Sequence, residues 1–206
     1  KPRCHQLRSH RTRPYHTGFY APHPGMYFQP EILAEYAKHY ETGEVIPDSL
    51  VAKINNARKF NQGFMTSELC AASILDMKWH ELDEEDLAKL SEGDQAANVA
   101  EFEKKVCREM GLIDEIIPRY RTTYFNHIFN SGYSAGYYSY LWAEVLDKDA
   151  FEYFEQQGIY NPEVALKFRQ TFLEKGGSEE PMTLYLSFRG AQPDPGALLR
   201  ARGLTE

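Results

Sequence analysis

From residue 30 onward, the apolar positions of this chain recur with the period of an α-helix. The stretch SELCAASILDMKWHEL places Leu69, Ala72, Leu75 and Trp79 on one stripe, at spacings of three or four residues. Similar spacing recurs in DQAANVAEFEKKVCREM, NPEVALKFRQTFLEKGG and SEEPMTLYLSF. Alternation with a period of two, which is typical of strands, is nearly absent. The sequence therefore predicts an all-α fold with short connections.

Two further helices are predicted near the start of this region. The stretch PEILAEYAKHY has helical spacing through Tyr40, and Gly43 follows as a C-cap. The stretch PDSLVAKINNARKF predicts a second helix, with Asp48 or Ser49 as its N-cap and Phe60 on its buried face.

The stretch HIFNSGYSAGYYSYLWAEV is rich in phenol groups and almost free of charge. If residues 134–146 form a helix, their side chains divide into two stripes. One stripe is apolar and consists of Tyr138, Leu141, Trp142 and Val145. The other consists of Tyr133, Tyr137, Tyr140 and Glu144. The pattern predicts that the first stripe packs and that the second faces outward.

The second stripe has two interpretations. The tyrosines can be packed rings whose hydroxyls reach the surface. They can also form a row of neutral donors along a cleft, together with His127, which holds a peptide backbone or an oxyanion. Gly132 and Gly136 flank Tyr133, so the backbone there can bend or approach a ligand closely. Composition does not choose between the two.

The charge of the chain is unevenly distributed. Residues 1–25 carry five Lys or Arg and four His but no acidic residue, whereas the whole chain has a net charge of −7. This balance argues against nucleic-acid binding, and the absence of a long apolar stretch argues against a membrane span. Three cysteines without CxxC spacing indicate free thiols in a reducing, cytoplasmic compartment, with a secreted or periplasmic location left open.

Three long blocks carry a resemblance to a known family. They are FNQGFMTSELCAASILDMKWHEL, IIPRYRTTYFNHIFNSGYSAGYYSYLWAEVLDKDAF and EKGGSEEPMTLYLSFRG. In this order they resemble the carboxy-terminal part of the thimet oligopeptidase (M3) family of zinc metallopeptidases, closest to its peptidyl-dipeptidase (dipeptidyl carboxypeptidase) branch. The resemblance extends from about Met26 to the end of the chain.

The resemblance implies a helical zincin-type catalytic domain in which a Gly/Tyr loop faces a zinc ion across a channel. By the family pattern, His127, Tyr133 and Tyr140 bind the substrate backbone and help to stabilise the tetrahedral intermediate, and Tyr137 lines the same wall. We therefore expect Tyr140 and His127 to be catalytic, and Tyr133, Tyr137, Gly132 and Gly136 to bind substrate. The implied partners are short peptides, with no nucleic acid and no membrane, and the intact parent is expected to be a monomer.

The chain departs from the family pattern at its metal site. No HExxH motif occurs in the 206 residues, and HTGFYAPHPG holds no carboxylate where the family supplies a third zinc ligand. Spacing in the histidine-rich start matches no standard metal motif, so no metal ligand is predicted. Residues 1–25 are expected to be disordered or the product of a reading-frame error, and residues 26–206 to be the helical family segment.

These observations predict a fragment of a zinc peptidase that hydrolyses short peptides and releases C-terminal dipeptides. Cleavage of internal bonds in short peptides is one alternative. A truncated, inactive remnant that binds peptides is another. Because the zinc ligands are missing, we expect this chain to be inactive alone.

Overall fold

The computed structural model of the protein describes residues 26–205, so the atypical segment predicted for residues 1–25 lies outside the described residues. Within 26–205, β pairing is limited to one isolated antiparallel bridge between Lys38 and Val45. The predicted all-α fold is confirmed.

Most connections between the helices of the described residues are short, but those at 37–47 and 110–125 are longer. In chain order they are α1 (Pro30–Tyr36), α2 (Asp48–Arg58), α3 (Gln62–Glu81), α4 (Glu84–Ser91), α5 (Gln95–Glu109), α6 (Asn126–Asn130), α7 (Ser139–Gln157), α8 (Pro162–Phe168), α9 (Pro181–Arg189) and α10 (Pro195–Arg202). Single 3₁₀ turns lie at Met26–Phe28 and Thr122–Tyr124, and a π-helical turn at Arg169–Leu173 continues α8. No helix in this described part is long and apolar enough to cross a membrane.

Helix α1 ends earlier than its apolar spacing predicts. It stops at Tyr36, and the side chain of Tyr40 is 87% exposed rather than buried. The N–H of Ile46 donates to the carbonyl of Ala37 at 2.9 Å. In a longer helix this carbonyl would instead accept a hydrogen bond from within the helix. Gly43 has a φ of 72° in the turn between the bridged segments, and the prediction that it caps α1 is wrong.

The predictions for the ends of α2 are also wrong. Its N-cap is Pro47, and no side chain caps the helix, whereas Asp48 or Ser49 was expected in that role. Val51 is the buried residue of α2, and Phe60 is 75% exposed. Because α2 ends before Phe60, the helical period no longer places that ring on the buried face.

The chain divides into two compact units, each with its own apolar core. Unit 1 comprises residues 26–62 and 142–205 of the described chain, and unit 2 is Gly63–Leu141. The core of unit 1 contains Leu146, Ala150, Val164, Phe172, Leu184, Tyr185 and Phe188.

The core of unit 2 forms around α3 and the segment that contains α6. Its buried members are Ala72, Phe125, Ile128 and Tyr137, and partly buried rings pack against them. Leu75 is also fully buried, while Leu69 and Trp79 are partly buried. The apolar stripe predicted for α3 is therefore confirmed.

Candidate functional site

The phenol-rich stretch begins as a turn, not as a helix. Residues 134–138 form consecutive turns, and α7 starts at Ser139. Ala135 has a φ of 51°, which an α-helix does not allow. The side chain of Tyr138 is 46% exposed, so its predicted place on the packed stripe is wrong. We refer to residues 132–138 as the Gly/Tyr loop.

Tyr133 and Tyr140 lie side by side on unit 2. Their rings are stacked, with centroids 5.3 Å apart and planes 13° apart, and both are half-buried. Burial, together with a hydrogen bond to Tyr133, raises the pKa of Tyr140 to about 12. Its hydroxyl keeps its proton at neutral pH, as an ordinary phenol does, and remains a possible donor.

His127 lies next to this stacked pair. It is the second residue of α6, and its ring centroid is 6.1 Å from that of Tyr133 and 5.1 Å from that of Tyr120. The imidazole is half-buried. We call His127, Tyr133 and Tyr140 the donor row, since each carries a polar group at the margin of the unit 2 core.

Tyr137 lies behind the donor row. Only 4% of it is exposed, and its ring is 5.0 Å from Phe125 and 5.0 Å from Tyr140. Burial raises the pKa of Tyr137, and a hydrogen bond with Tyr120 raises it further. Sequence spacing placed Tyr137 on the same outward stripe as Tyr133. The turn at 134–138 instead directs this ring into the core.

Gly132 and Gly136 shape the loop in different ways. Gly132 has a φ of 79°, a conformation that most side chains disfavour. Gly136 is buried, and a Cβ atom there would lie 3.3 Å from the carbonyl oxygen of Tyr133. The N–H of Gly136 donates to this same oxygen at 2.8 Å. The small residue at 136 allows the tight turn that sets Tyr133 beside Tyr140.

Tyr120 belongs to the site, although sequence reasoning did not single it out. Its ring is stacked on Phe125 at 4.7 Å and contacts Tyr137 at 5.9 Å. The guanidinium of Arg119 lies 5.4 Å from its centroid. The sequence signal for Tyr120 was its place after an Arg in the same long block as the Gly/Tyr loop.

Asp76 was also missed, and it anchors the Gly/Tyr loop. Its carboxylate is fully buried and accepts the N–H of Ala135 at 2.9 Å and the N–H of Tyr137 at 2.8 Å. The Nδ1 atom of His80 lies 2.9 Å from the same carboxylate, and this hydrogen bond raises the pKa of His80. An acidic residue between Leu75 and Trp79 of an apolar stripe was the signal for a buried partner.

Glu103 fixes the segment that leads into α6. It is 4% exposed, and it accepts from the Nε of Arg121 at 2.8 Å and from the N–H of Thr122 at 2.6 Å. The indole of Trp79 donates to the hydroxyl of Thr122 at 2.9 Å. Hydrogen bonds to the buried carboxylates of Asp76 and Glu103 thus hold both segments of unit 2 that contribute to the donor row.

Within 26–205, no three His, Cys, Asp or Glu side chains are grouped so that they could hold a metal ion. These side chains therefore do not fit the zinc ion that the family resemblance implies. What the site itself offers is neutral hydrogen-bond donors.

Fold and site together define an all-α protein with a cluster of phenol and imidazole groups on and beside a tightly held loop. Residues 25–204 match Peptidase family M3, and the chain belongs to that family.

The chain is similar in sequence to known proteins over most of its length. It is 42% identical to a dipeptidyl carboxypeptidase of Escherichia coli over 175 residues, which is 85% of this chain and 25% of the relative. It is 38% identical to oligopeptidase A of the same organism over 86% of this chain and 25% of the relative. Saccharolysin of Saccharomyces cerevisiae is 29% identical over 84% of the chain and 23% of the relative. The chain thus spans about a quarter of the length of these relatives.

Proposed function

We propose that this chain is the C-terminal part of a zinc metallopeptidase that hydrolyses short peptides, and that it supplies one substrate-binding surface. Membership of Peptidase family M3 supports the reaction class. Release of C-terminal dipeptides is the proposed mode, supported by the 42% identity to a dipeptidyl carboxypeptidase. Cleavage of internal bonds in short peptides is the alternative, supported by the 38% identity to an oligopeptidase.

The proposed catalytic residues are Tyr140 and His127. As hydrogen-bond donors they can bind the oxygen of a scissile carbonyl as negative charge develops on it. The observation that carries this proposal is the half-buried, stacked pair of Tyr133 and Tyr140, with the pKa of Tyr140 raised to about 12. A phenol that stays protonated and partly exposed at the edge of a core can donate to a ligand.

Substrate binding is proposed for the Gly/Tyr loop. The hydroxyl of Tyr133 can donate to a peptide carbonyl. Gly132 and Gly136 are proposed to contribute through the bend of the loop backbone that they allow. Tyr137 is proposed to support the ring of Tyr140 from the core side, because its own ring is buried against Phe125 and Tyr140.

The rest of the active site is proposed to lie outside this chain. No HExxH motif is present in the sequence, so we expect the 206-residue chain to bind peptides without cleaving them. The intact enzyme is proposed to act as a cytoplasmic monomer on short peptides.

Peptide binding to the purified chain tests the donor row. The anisotropy of a fluorescein-labelled tetrapeptide with a free C-terminus gives a Kd. We expect Tyr140→Phe to raise this Kd about 2- to 12-fold, which corresponds to one lost hydrogen bond. Tyr124→Phe is the matched control, since Tyr124 is 54% exposed and lies outside the Gly/Tyr loop. An equal effect of the two substitutions, or no binding by the unmodified chain, would remove Tyr140 from the proposal.

Hydrolysis is tested separately with zinc and a quenched-fluorescent peptide. We expect no turnover by this chain. Turnover that a chelator abolishes would show that the chain completes a metal site by itself. In the intact enzyme, Tyr140→Phe should lower kcat more than it raises KM, because the donor acts chiefly in the transition state.

A further inference from the structure

The Gly/Tyr loop combines an unusual backbone conformation with two converging N–H groups. Ala135 has a φ of 51°, which side-chain-bearing residues rarely adopt. The N–H groups of Ala135 and Tyr137, two residues apart, both point to the carboxylate of Asp76. Backbone N–H groups that converge in this way form a concave anion-binding feature. In this protein the anion is a side chain of the protein itself.

The carboxylate that fills this feature comes from a distant part of unit 2. Asp76 lies in α3, 59 residues before Ala135 and 61 before Tyr137. It is fully buried, so a carboxylate here must be compensated by its neighbours. Those neighbours are the two loop N–H groups and the imidazole of His80, whose Nδ1 atom is 2.9 Å away.

We infer that Asp76 is the positioning residue of the Gly/Tyr loop: it holds Ala135 in its left-handed conformation and thereby fixes where Tyr133 and Tyr140 stand. The inference rests on the proposed function only for what these tyrosines bind. The physical reason is that Ala135 and Tyr137 lie between the two tyrosines in the chain. Pinning both N–H groups fixes the loop on either side of Gly136, and with it the stacked pair of rings.

The first test is the exchange of backbone amide hydrogens, which does not depend on any ligand. In the unmodified chain the amides of Ala135 and Tyr137 should be protected. The N–H groups of Ala135 and Tyr137 bind different oxygens of Asp76. In Asp76→Asn, one of these oxygens is replaced by an NH₂ group that cannot accept a hydrogen bond, so at least one of the two amides should exchange about ten-fold faster. Amides of Val106 and Cys107 in α5 should keep their protection. Equal protection of both loop amides before and after the substitution would overturn the inference.

The second test separates positioning from stability. Asp76→Asn should raise the Kd of the fluorescein-labelled tetrapeptide about ten-fold. The double variant Asp76→Asn/Ala135→Gly relieves the strain of the left-handed residue and should regain part of the lost stability. It should not regain affinity, because glycine frees the loop. Recovery of affinity together with stability would reduce Asp76 to a merely structural role.

Asp149→Asn is the matched control. Asp149 is also fully buried, but its hydrogen bonds are to Tyr185 and Arg189 in unit 1. This substitution should lower the melting temperature and leave the Kd and the exchange of the two loop amides unchanged. If Asp149→Asn weakens peptide binding as much as Asp76→Asn does, the inference fails.

The proposed function and this inference can fail separately. If the unmodified chain binds no peptide but Asp76→Asn still exposes the loop amides, the positioning role stands and the proposed function falls. If the peptide binds and Asp76→Asn changes neither the amides nor the Kd, the positioning role falls and the proposed function stands.

Discussion

Asp76 in unit 2 and Asp149 in unit 1 are both fully buried, but their partners differ in kind. Asp149, in α7, accepts from the hydroxyl of Tyr185 and from the Nε and Nη2 atoms of Arg189 at 3.1 and 3.2 Å. Both partners are side chains of one regular helix, α9. Asp76 instead accepts from the backbone of an irregular loop.

This difference decides what each carboxylate controls. When a buried carboxylate paired with a guanidinium is removed, the cation is left without a partner. Loss of the carboxylate therefore lowers the free energy of unfolding. A carboxylate bound to loop N–H groups leaves a loop that can rearrange and solvate its backbone. We therefore expect substitution at Asp149 to affect the free energy of unfolding most, and substitution at Asp76 to affect the geometry of the donor row.

The largest effect is expected from Asp149→Ala. Arg189 is only 18% exposed at its side chain, so losing its partner should lower the free energy of unfolding by about 3–5 kcal/mol. Urea denaturation followed by circular dichroism measures this change. Asp114→Ala, which breaks an ion pair between two well-exposed side chains, is the control and should have little effect. Equal effects of the two substitutions would contradict the assignment of Asp149 as a stabilising centre.

A smaller effect is expected from Tyr185→Phe. This substitution removes one donor to Asp149 and leaves the ring of Tyr185 in the core, so about 2 kcal/mol of stability should be lost. Tyr138→Phe is the control for loss of a hydroxyl at an exposed position. In an Asp149→Asn background the cost of Tyr185→Phe should shrink, since its acceptor has lost its charge. Strict additivity of the two substitutions would argue against the hydrogen bond.

Gly136→Ala tests the loop side of the comparison. The added Cβ would lie 3.3 Å from the carbonyl oxygen of Tyr133, so the turn must open slightly, at a cost of about 1 kcal/mol. Gly63→Ala is the control, because a Cβ there meets nothing within 4 Å and alanine favours the helix. The peptide Kd should rise for Gly136→Ala and stay constant for Gly63→Ala. A neutral Gly136→Ala would indicate that the loop does not need its tight turn.

The helices were predictable from sequence wherever the apolar period coincides with one buried face. For α5, the spacing that includes Val106 predicted both the helix and its buried side, and the structure agrees. α1 and α2 show where the same reasoning fails. The period continues through Tyr40 and Phe60, but neither helix continues that far, because backbone hydrogen bonds and turns beyond Tyr36 and Arg58 end them.

The sequence singled out three side chains that lie together in the structure, but it did not predict the backbone that brings them together. His127, Tyr133 and Tyr140 are close together, as the resemblance implies. The helix expected over 134–138 is absent, because Asp76 takes the N–H groups of Ala135 and Tyr137 from 59 and 61 residues away. No local sequence pattern predicts a hydrogen bond between residues so far apart in the chain. A carboxylate within the apolar stripe of α3 was the one trace of it in the sequence.

The smallest effect is expected at His80, and it depends on pH. The hydrogen bond to Asp76 raises the pKa of His80 in the folded protein above the value near 6.5 of an unfolded chain. The stabilisation is therefore fully present below about pH 6.5 and is lost as the pH rises through the folded-state pKa. The side chain of His80 is 27% exposed, so solvent weakens the interaction.

Comparing the unmodified chain with His80→Gln by urea denaturation tests this dependence. The difference in unfolding free energy should be greater at about pH 5.5 than at about pH 8.5. In an Asp76→Asn background the pH dependence of that difference should largely disappear, because the charged partner is gone. A difference that grows with pH would mean that neutral His80 is the stabilising form. Asp76 would then depend for its compensation on the two loop N–H groups, which would tie its burial still more closely to the conformation of the Gly/Tyr loop.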